Sequence, residues 1–146
     1  EMAEFVRRGA AVWQGDLRDG NGTIRTESGA VSEEPYRFTT RFENEPGTNP
    51  EELIAAAHAA CYSMAFANVL AKKGYDPQRI ETEAACTLTM GEGGPRITAM
   101  KLTVRGQVPG MDQETFRQMA HEGDKNCPVS NLLRSGLEIS LEAQLI

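Results

Sequence analysis

The chain lacks the marks of several large protein classes. Among its three cysteines and two histidines there is no C-x-x-C and no H-x-x-x-H pair, the usual spacings of a zinc site. Three cysteines are also too few, and odd in number, for a disulfide framework. Positive charge is in deficit: 15 Lys and Arg stand against 21 Asp and Glu, a net charge of −6. That balance argues against nucleic acid and against an anionic membrane surface as partners. No apolar run is expected to reach the ~20 residues that span a bilayer. The opening Glu1-Met2-Ala3-Glu4-Phe5 has neither the cationic nor the apolar stretch of a secretory signal, and Glu1 ahead of Met2 reads as a remnant. The expected setting is cytoplasmic, where lasting disulfides are rare and transient ones are often catalytic.

What is present fits one globular domain over residues 1–146. Hydrophobic content is 40% and charged content 25%, ordinary for a folded protein with a real core. Phe5 to Gln14 reads as a strand anchored by Val12 and Trp13. A turn at Gly15 to Gly22 lets Thr23 to Glu27 pair back onto it. Tyr36 to Phe42 alternates as a third strand, with Tyr36, Phe38 and Phe42 on one face. A helix then starts at Pro50: Thr48 or Asn49 caps it, and Glu51 and Glu52 suit its positive end. It ends through Lys72-Lys73 at Gly74 and, being apolar nearly all round, should be buried. Strands follow at Ile80 to Met90 and Ile97 to Val108. A helix capped by Asp112 runs to about His121, and a second runs from Pro128 to about Arg134. A final alternating strand carries Leu137, Ile139, Leu141 and Leu145. This order is α+β with antiparallel pairing, not alternating βαβ.

The candidate chemistry lies in the thiols. Cys127 precedes Pro128 at a helix entrance, where unpaired N–H groups stabilise a thiolate. Cys61 lies deep in the apolar helix, eleven positions past Pro50. Apolar surroundings should raise its pKa, so a reactive Cys61 needs a cation folded over it, and Arg41 and Arg18 are the candidates. Cys86 alternates with Ala84 and Leu88 and reads as core filling. His58, one turn before Cys61, reads as a hydrogen-bonded core histidine or as a base.

Four segments together resemble the OsmC/Ohr family, named for osmotically inducible protein C and organic hydroperoxide resistance. They are Thr40-Arg41-Phe42-Glu43, Gly47-Thr48-Asn49-Pro50-Glu51-Glu52-Leu53, Ala56-Ala57-His58-Ala59-Ala60-Cys61 and Asn126-Cys127-Pro128-Val129-Ser130. Trp13-Gln14-Gly15-Asp16 and Thr26-Glu27-Ser28-Gly29 extend the likeness over nearly the whole chain, and the OsmC branch is the more similar one. The resemblance implies antiparallel sheets around a long central helix, in an intertwined homodimer. It implies a thiol peroxidase that reduces organic hydroperoxides to alcohols, with Cys61 attacking the peroxide and Cys127 resolving it as a disulfide. Arg41 and Glu51 match the family's charged partners of the thiol, while Arg18 in Arg18-Asp19-Gly20 remains a substitute for Arg41. No cofactor or metal is implied, and the reductant is a dithiol, for which a dihydrolipoyl protein is a reasonable expectation.

Glu51 and Cys61 are ten residues apart, about 15 Å along a straight helix. Either the helix breaks between them, or Glu51 and Arg41 of one chain serve Cys61 of another. The rivals to a peroxidase are a non-catalytic thiol switch or binding protein, and a hydrolase using Cys61 with His58.

Overall fold

The computed structural model describes residues 2–137 and 139–144. It divides into two compact units, one through Leu53 and one from Ile54 onward.

The first unit holds a three-stranded antiparallel sheet in the order β1 (Gly9–Gln14), β2 (Asn21–Thr26), β3 (Glu34–Tyr36). Gly9 pairs with Thr26 and Gln14 with Asn21, so the β1–β2 register is that of a hairpin. The Trp13 Nε1–H donates to the carbonyls of Gly15 and Asp16, which fastens the connecting turn. Gly15 takes a φ of 94° there, a conformation that costs glycine nothing.

The third strand expected over Tyr36 to Phe42 is corrected. It spans only Glu34–Tyr36, and Phe38–Phe42 forms a one-turn helix, α1. The cause is local. Thr40 Oγ1 accepts from the Arg37 N–H at 3.0 Å and donates to the Arg37 carbonyl at 2.9 Å, an alternative to strand pairing that threonine offers the backbone. Phe38 and Phe42, expected on one strand face, instead meet at helical i,i+4 spacing with ring centroids 4.9 Å apart.

Helix α2 (Pro50–Lys72) is continuous over 23 residues, so the expected alternative of a break between Glu51 and Cys61 does not occur. Of the two expected caps Asn49 does the work: its Oδ1 accepts from the Glu52 N–H at 2.8 Å. The expectation that no segment is apolar enough to span a bilayer is also corrected. By length and by a mean hydropathy of 1.5, α2 meets that criterion, as core helices of globular proteins also do. Its largest side chains lie in a protein core.

In the second unit, His58, Tyr62, Phe66, Val69 and Leu70 form the buried stripe of α2, a spacing of three to four residues that keeps them on one face. The opposite face, with Ala56, Ala57, Ala60 and Met64, is exposed, so burial is confined to one side of a helix that is apolar on both. Tyr62, Phe66, Leu70 and Cys127 make the core cluster. Truncating a core residue such as Leu70 to alanine costs about 2–5 kcal/mol.

Strands β4 (Arg79–Gly91) and β5 (Gly94–Gln107) pair as one long antiparallel hairpin with a bulge at Thr87/Leu88. Ile80, Leu102 and Val104 pack on the core cluster, as their alternation predicts. Helix α3 (Gln113–Lys125) runs four residues beyond the expected end at His121, and α4 (Pro128–Ser135) stops at Gly136 with φ 72°. At Gly123 of α3 a Cβ would lie 3.0 Å from Phe66 Cα, so the missing side chain lets α3 lie close on α2.

The expected closing strand does not form among described residues 137 and 139–144, and Leu145 lies outside them. Leu137, Ile139 and Leu141 are 66%, 85% and 87% exposed. An alternating segment needs a neighbouring strand to bond and a face to cover, and none pairs with it here among the described residues.

Candidate active site

Two constellations hold the candidate residues, one in each unit. In the first, Arg41 lies in the last turn of α1 and Glu51 in the first turn of α2. The guanidinium grips the carboxylate with two parallel hydrogen bonds, Nε to Oε1 at 3.0 Å and Nη2 to Oε2 at 2.9 Å. The bidentate geometry fixes the plane of the guanidinium as well as its position. Glu51 is buried, and Arg41 retains about a third of its side-chain exposure. Asn49 holds the frame together: its Nδ2 donates to the Thr40 carbonyl while its Oδ1 caps α2. Arg18, the other candidate cation, lies over the ring of Phe38, 4.7 Å from its centroid.

The second constellation is built at the entrance to α4. Cys127 is its N-cap, Pro128 its first residue, and the Ser130 N–H donates to Cys127 Sγ at 3.4 Å. Cys61, on α2, packs against the same cluster, and each of the two thiols shifts the other's pKa. Thus two thiols far apart in sequence meet at one helix N-terminus, both reduced. Cys127 is fully buried and Cys61 half-buried, so Cys61 is the sulfur a solute can reach.

The two sulfurs are electrostatically unlike. Burial pushes the Cys61 thiol up. The Val129 N–H opposes that, and the hydrogen bond to Cys127 adds to it. Burial works against a Cys127 thiolate too, yet the Ser130 N–H and hydroxyl, the Cys61 thiol and the Val129 N–H together outweigh it. The net result holds Cys127 below the ordinary thiol range. Both directions agree with the expectations from sequence. The unpaired N–H groups expected at Cys127 are those of Val129 and Ser130, at the second and third helical positions where a cap's donors lie.

His58 is buried, with its Nε2 2.7 Å from Ser130 Oγ. Its Nε2 is thus engaged by Ser130, as in the reading of His58 as a hydrogen-bonded core histidine. Burial holds its pKa below the usual histidine range. Asp124 opposes this and Arg134 adds to it, and those two residues form an ion pair. Tyr62 donates to the Ala120 carbonyl at 2.7 Å. A cavity of about 630 Å³ borders His58, Tyr62, Leu102, Arg117 and Ser130. Cys86 sits on β4 opposite Met100, away from these groups in the strand register.

Comparison with known proteins follows the same lines. The family model for OsmC-like protein matches residues 42–142. Peroxiredoxin OsmC of Escherichia coli strain K12 is 46% identical over 139 residues, covering 95% of this chain and 96% of that protein. An organic hydroperoxide resistance protein of Xanthomonas axonopodis pv. citri is 32% identical over 96 residues, 65% of this chain and 66% of that protein. Among solved structures, the organic hydroperoxide resistance protein OhrB of Bacillus subtilis aligns with a TM-score of 0.66 at 23% identity, over 94% of this chain and 97% of that one. At that identity the likeness speaks for the fold alone.

Proposed function

The chain belongs to the OsmC-like family, and from that membership we propose that it is a thiol peroxidase reducing organic hydroperoxides to alcohols through Cys61 and Cys127. The observation that carries this reading is the meeting of Cys61 and Cys127 at the N-terminus of α4. The names of its relatives, a peroxiredoxin and organic hydroperoxide resistance proteins, point the same way.

Cys61 is the attacking sulfur, because it is the accessible one of the pair. Its thiolate displaces an alkoxide from the terminal peroxide oxygen, the alkoxide takes a proton, and Cys61 is left as sulfenic acid. Cys127 attacks that sulfur, the Cys61–Cys127 disulfide forms, and hydroxide leaves as water. A dithiol, for which a dihydrolipoyl protein is the proposed source, then reduces the bridge. The proposed setting is the cytoplasm, which supplies such reducing equivalents.

Burial, with a smaller contribution from Cys127, raises the pKa of Cys61, so the thiolate needs a cation. Arg41 supplies it, oriented by Glu51, since an opposite charge within a few ångströms favours the thiolate. The unbroken α2 keeps Glu51 and Cys61 ten residues apart on one helix. The proposed working form is therefore a homodimer in which Arg41 and Glu51 of one subunit serve Cys61 of the other. The exposed Ala56, Ala57, Ala60 and Met64 and the uncovered Leu137, Ile139 and Leu141 support a second copy as the missing cover.

The test is a thiol count on reduced protein before and after one equivalent of cumene hydroperoxide, with peptide mapping. The expected result is loss of two thiols as a Cys61–Cys127 bridge, with Cys86 outside it. An unchanged count in folded, reduced protein removes the peroxidase. Oxidation without turnover in the presence of a dithiol leaves only a redox switch.

A further inference from the structure

His58 is a buried titratable group that the peroxide chemistry above does not use. Its Nε2 is 2.7 Å from Ser130 Oγ, while its Nδ1 is buried and meets no hydrogen-bond partner among the described residues. Ser130 also donates its N–H to Cys127 Sγ at 3.4 Å, and its hydroxyl is among the groups that favour the Cys127 thiolate. Ser130 is 3% and His58 4% exposed, so both are withdrawn from bulk solvent. Two polar residues, His58 of α2 and Ser130 at the entrance of α4, thus stand in a chain that leads to one sulfur.

Proton placement along that line follows from donor inventory. A buried, neutral imidazole has one N–H. Placed on Nδ1, that N–H would be an orphaned buried donor, which folded proteins rarely tolerate. Placed on Nε2, it is used on Ser130 Oγ. Ser130 has a single hydroxyl proton to give, and a bond to a thiolate is charge-assisted and stronger than one to a neutral ring. Other charged or titratable groups around the pair are Cys61 and Tyr62 of α2, Arg117, His121 and Asp124 of α3 and Arg134 of α4. Asp124 and Arg134 pair with each other, which keeps a formal charge from competing for the ring.

We infer that His58 and Ser130 are positioning residues for Cys127: His58 Nε2–H donates to Ser130 Oγ, whose hydroxyl donates to Cys127 Sγ and holds that sulfur ready to leave as thiolate when the disulfide is reduced. The inference rests on the reading of Cys127 as the resolving thiol. In the step concerned, one thiolate of the dithiol attacks Cys61 Sγ and the Cys61–Cys127 bond breaks. The electron pair of that bond goes to Cys127. The second thiolate of the reductant then attacks its own partner sulfur, closes a cyclic disulfide and releases Cys61 as thiolate. The better-stabilised sulfur leaves faster, and full burial of Cys127 directs the reductant to Cys61. His58 and Ser130 thereby set which sulfur is attacked and which departs.

The test needs neither peroxide nor reductant, so it stands or falls apart from the peroxidase reading. In full-length protein carrying Cys61→Ser and Cys86→Ser, Cys127 is titrated by thiolate ultraviolet absorbance. Ser130→Ala and His58→Leu are expected to move the Cys127 titration upward by about one pH unit, and His58→Gln, which keeps an N–H donor, to return it toward the parent. Circular dichroism establishes that each variant is folded, and Ser130→Ala carries the test if His58→Leu is not. Nitrogen-15 NMR of the His58 ring is expected to show the proton on Nε2. An unmoved titration in folded Ser130→Ala, a His58→Gln titration no different from His58→Leu, or a proton on Nδ1 overturns the inference.

Discussion

Arg41 and Glu51 face each other across the loop between α1 and α2 with both nitrogens of one guanidinium edge matched to both carboxylate oxygens. Lysine cannot reproduce that fork. Arg41→Lys is expected to lower kcat/KM for an organic hydroperoxide by about 100-fold, since a preoriented charge is lost from the reacting sulfur. Arg41→Ala is expected also to lower stability by about 1–3 kcal/mol, because the buried Glu51 carboxylate is left without its partner. Steady-state kinetics and denaturant melts check both. Full activity in Arg41→Lys would move the cation's role to Arg18.

Sharing of sites between subunits has a direct readout. Cys61→Ser and Arg41→Ala chains, each inactive alone, are mixed, unfolded and refolded together. Random pairing makes about half of the dimers mixed, each with one intact site of two, so about a quarter of wild-type activity is expected to return. If Arg41 serves the Cys61 of its own chain, no mixed dimer holds an intact site and nothing returns.

The two thiols should fail in different ways. Cys61→Ser is expected to abolish peroxide consumption. Cys127→Ser is expected to consume one equivalent and stop, leaving a Cys61 sulfenic acid that dimedone labels and excess peroxide drives to sulfinic acid. Intact-mass spectrometry distinguishes these states. A dimedone adduct on Cys127 in the unmodified protein would reverse the assignment.

His58 gives stability a pH dependence of known sign. Its folded pKa lies below the unfolded value of 6.5, so the unfolded chain binds more protons in that range and stability rises with pH. The contribution is present above 6.5 and is lost as pH falls toward the folded value. The Tm is expected to drop between pH 7.5 and pH 5.5, and His58→Gln to flatten that part of the profile. Equal slopes in both proteins would show that other groups carry the acid sensitivity.

Much of this was legible in sequence because the signals are local. Asn49-Pro50-Glu51-Glu52 marks a helix start by capping and dipole chemistry, Gly74 a helix end, and alternation over β4 and β5 a hairpin. The α1 turn was not legible, since Thr40 bonding back to Arg37 defeats an alternating pattern that looks like a strand. Among described residues 137 and 139–144 the expected strand is absent for the opposite reason: the alternation is real, but a strand forms only where another strand receives it, and none does among the described residues. At the site, sequence could pair Arg41 with Glu51 by family likeness. It could give Cys127 its helix N–H donors but not the Val129 N–H acting on Cys61 as well, because that depends on α2 and α4 meeting there.

The sulfur that caps α4 is also the sulfur that enters the disulfide of the proposed cycle. A thiolate is a strong acceptor for the Ser130 N–H, and a disulfide sulfur is a poor one. In that cycle each oxidation is expected to loosen the first turn of α4 and each reduction to wind it tight again, so that the helix end would keep time with the reaction. Amide hydrogen exchange at Ser130 would then serve as a clock hand for the redox state of the protein.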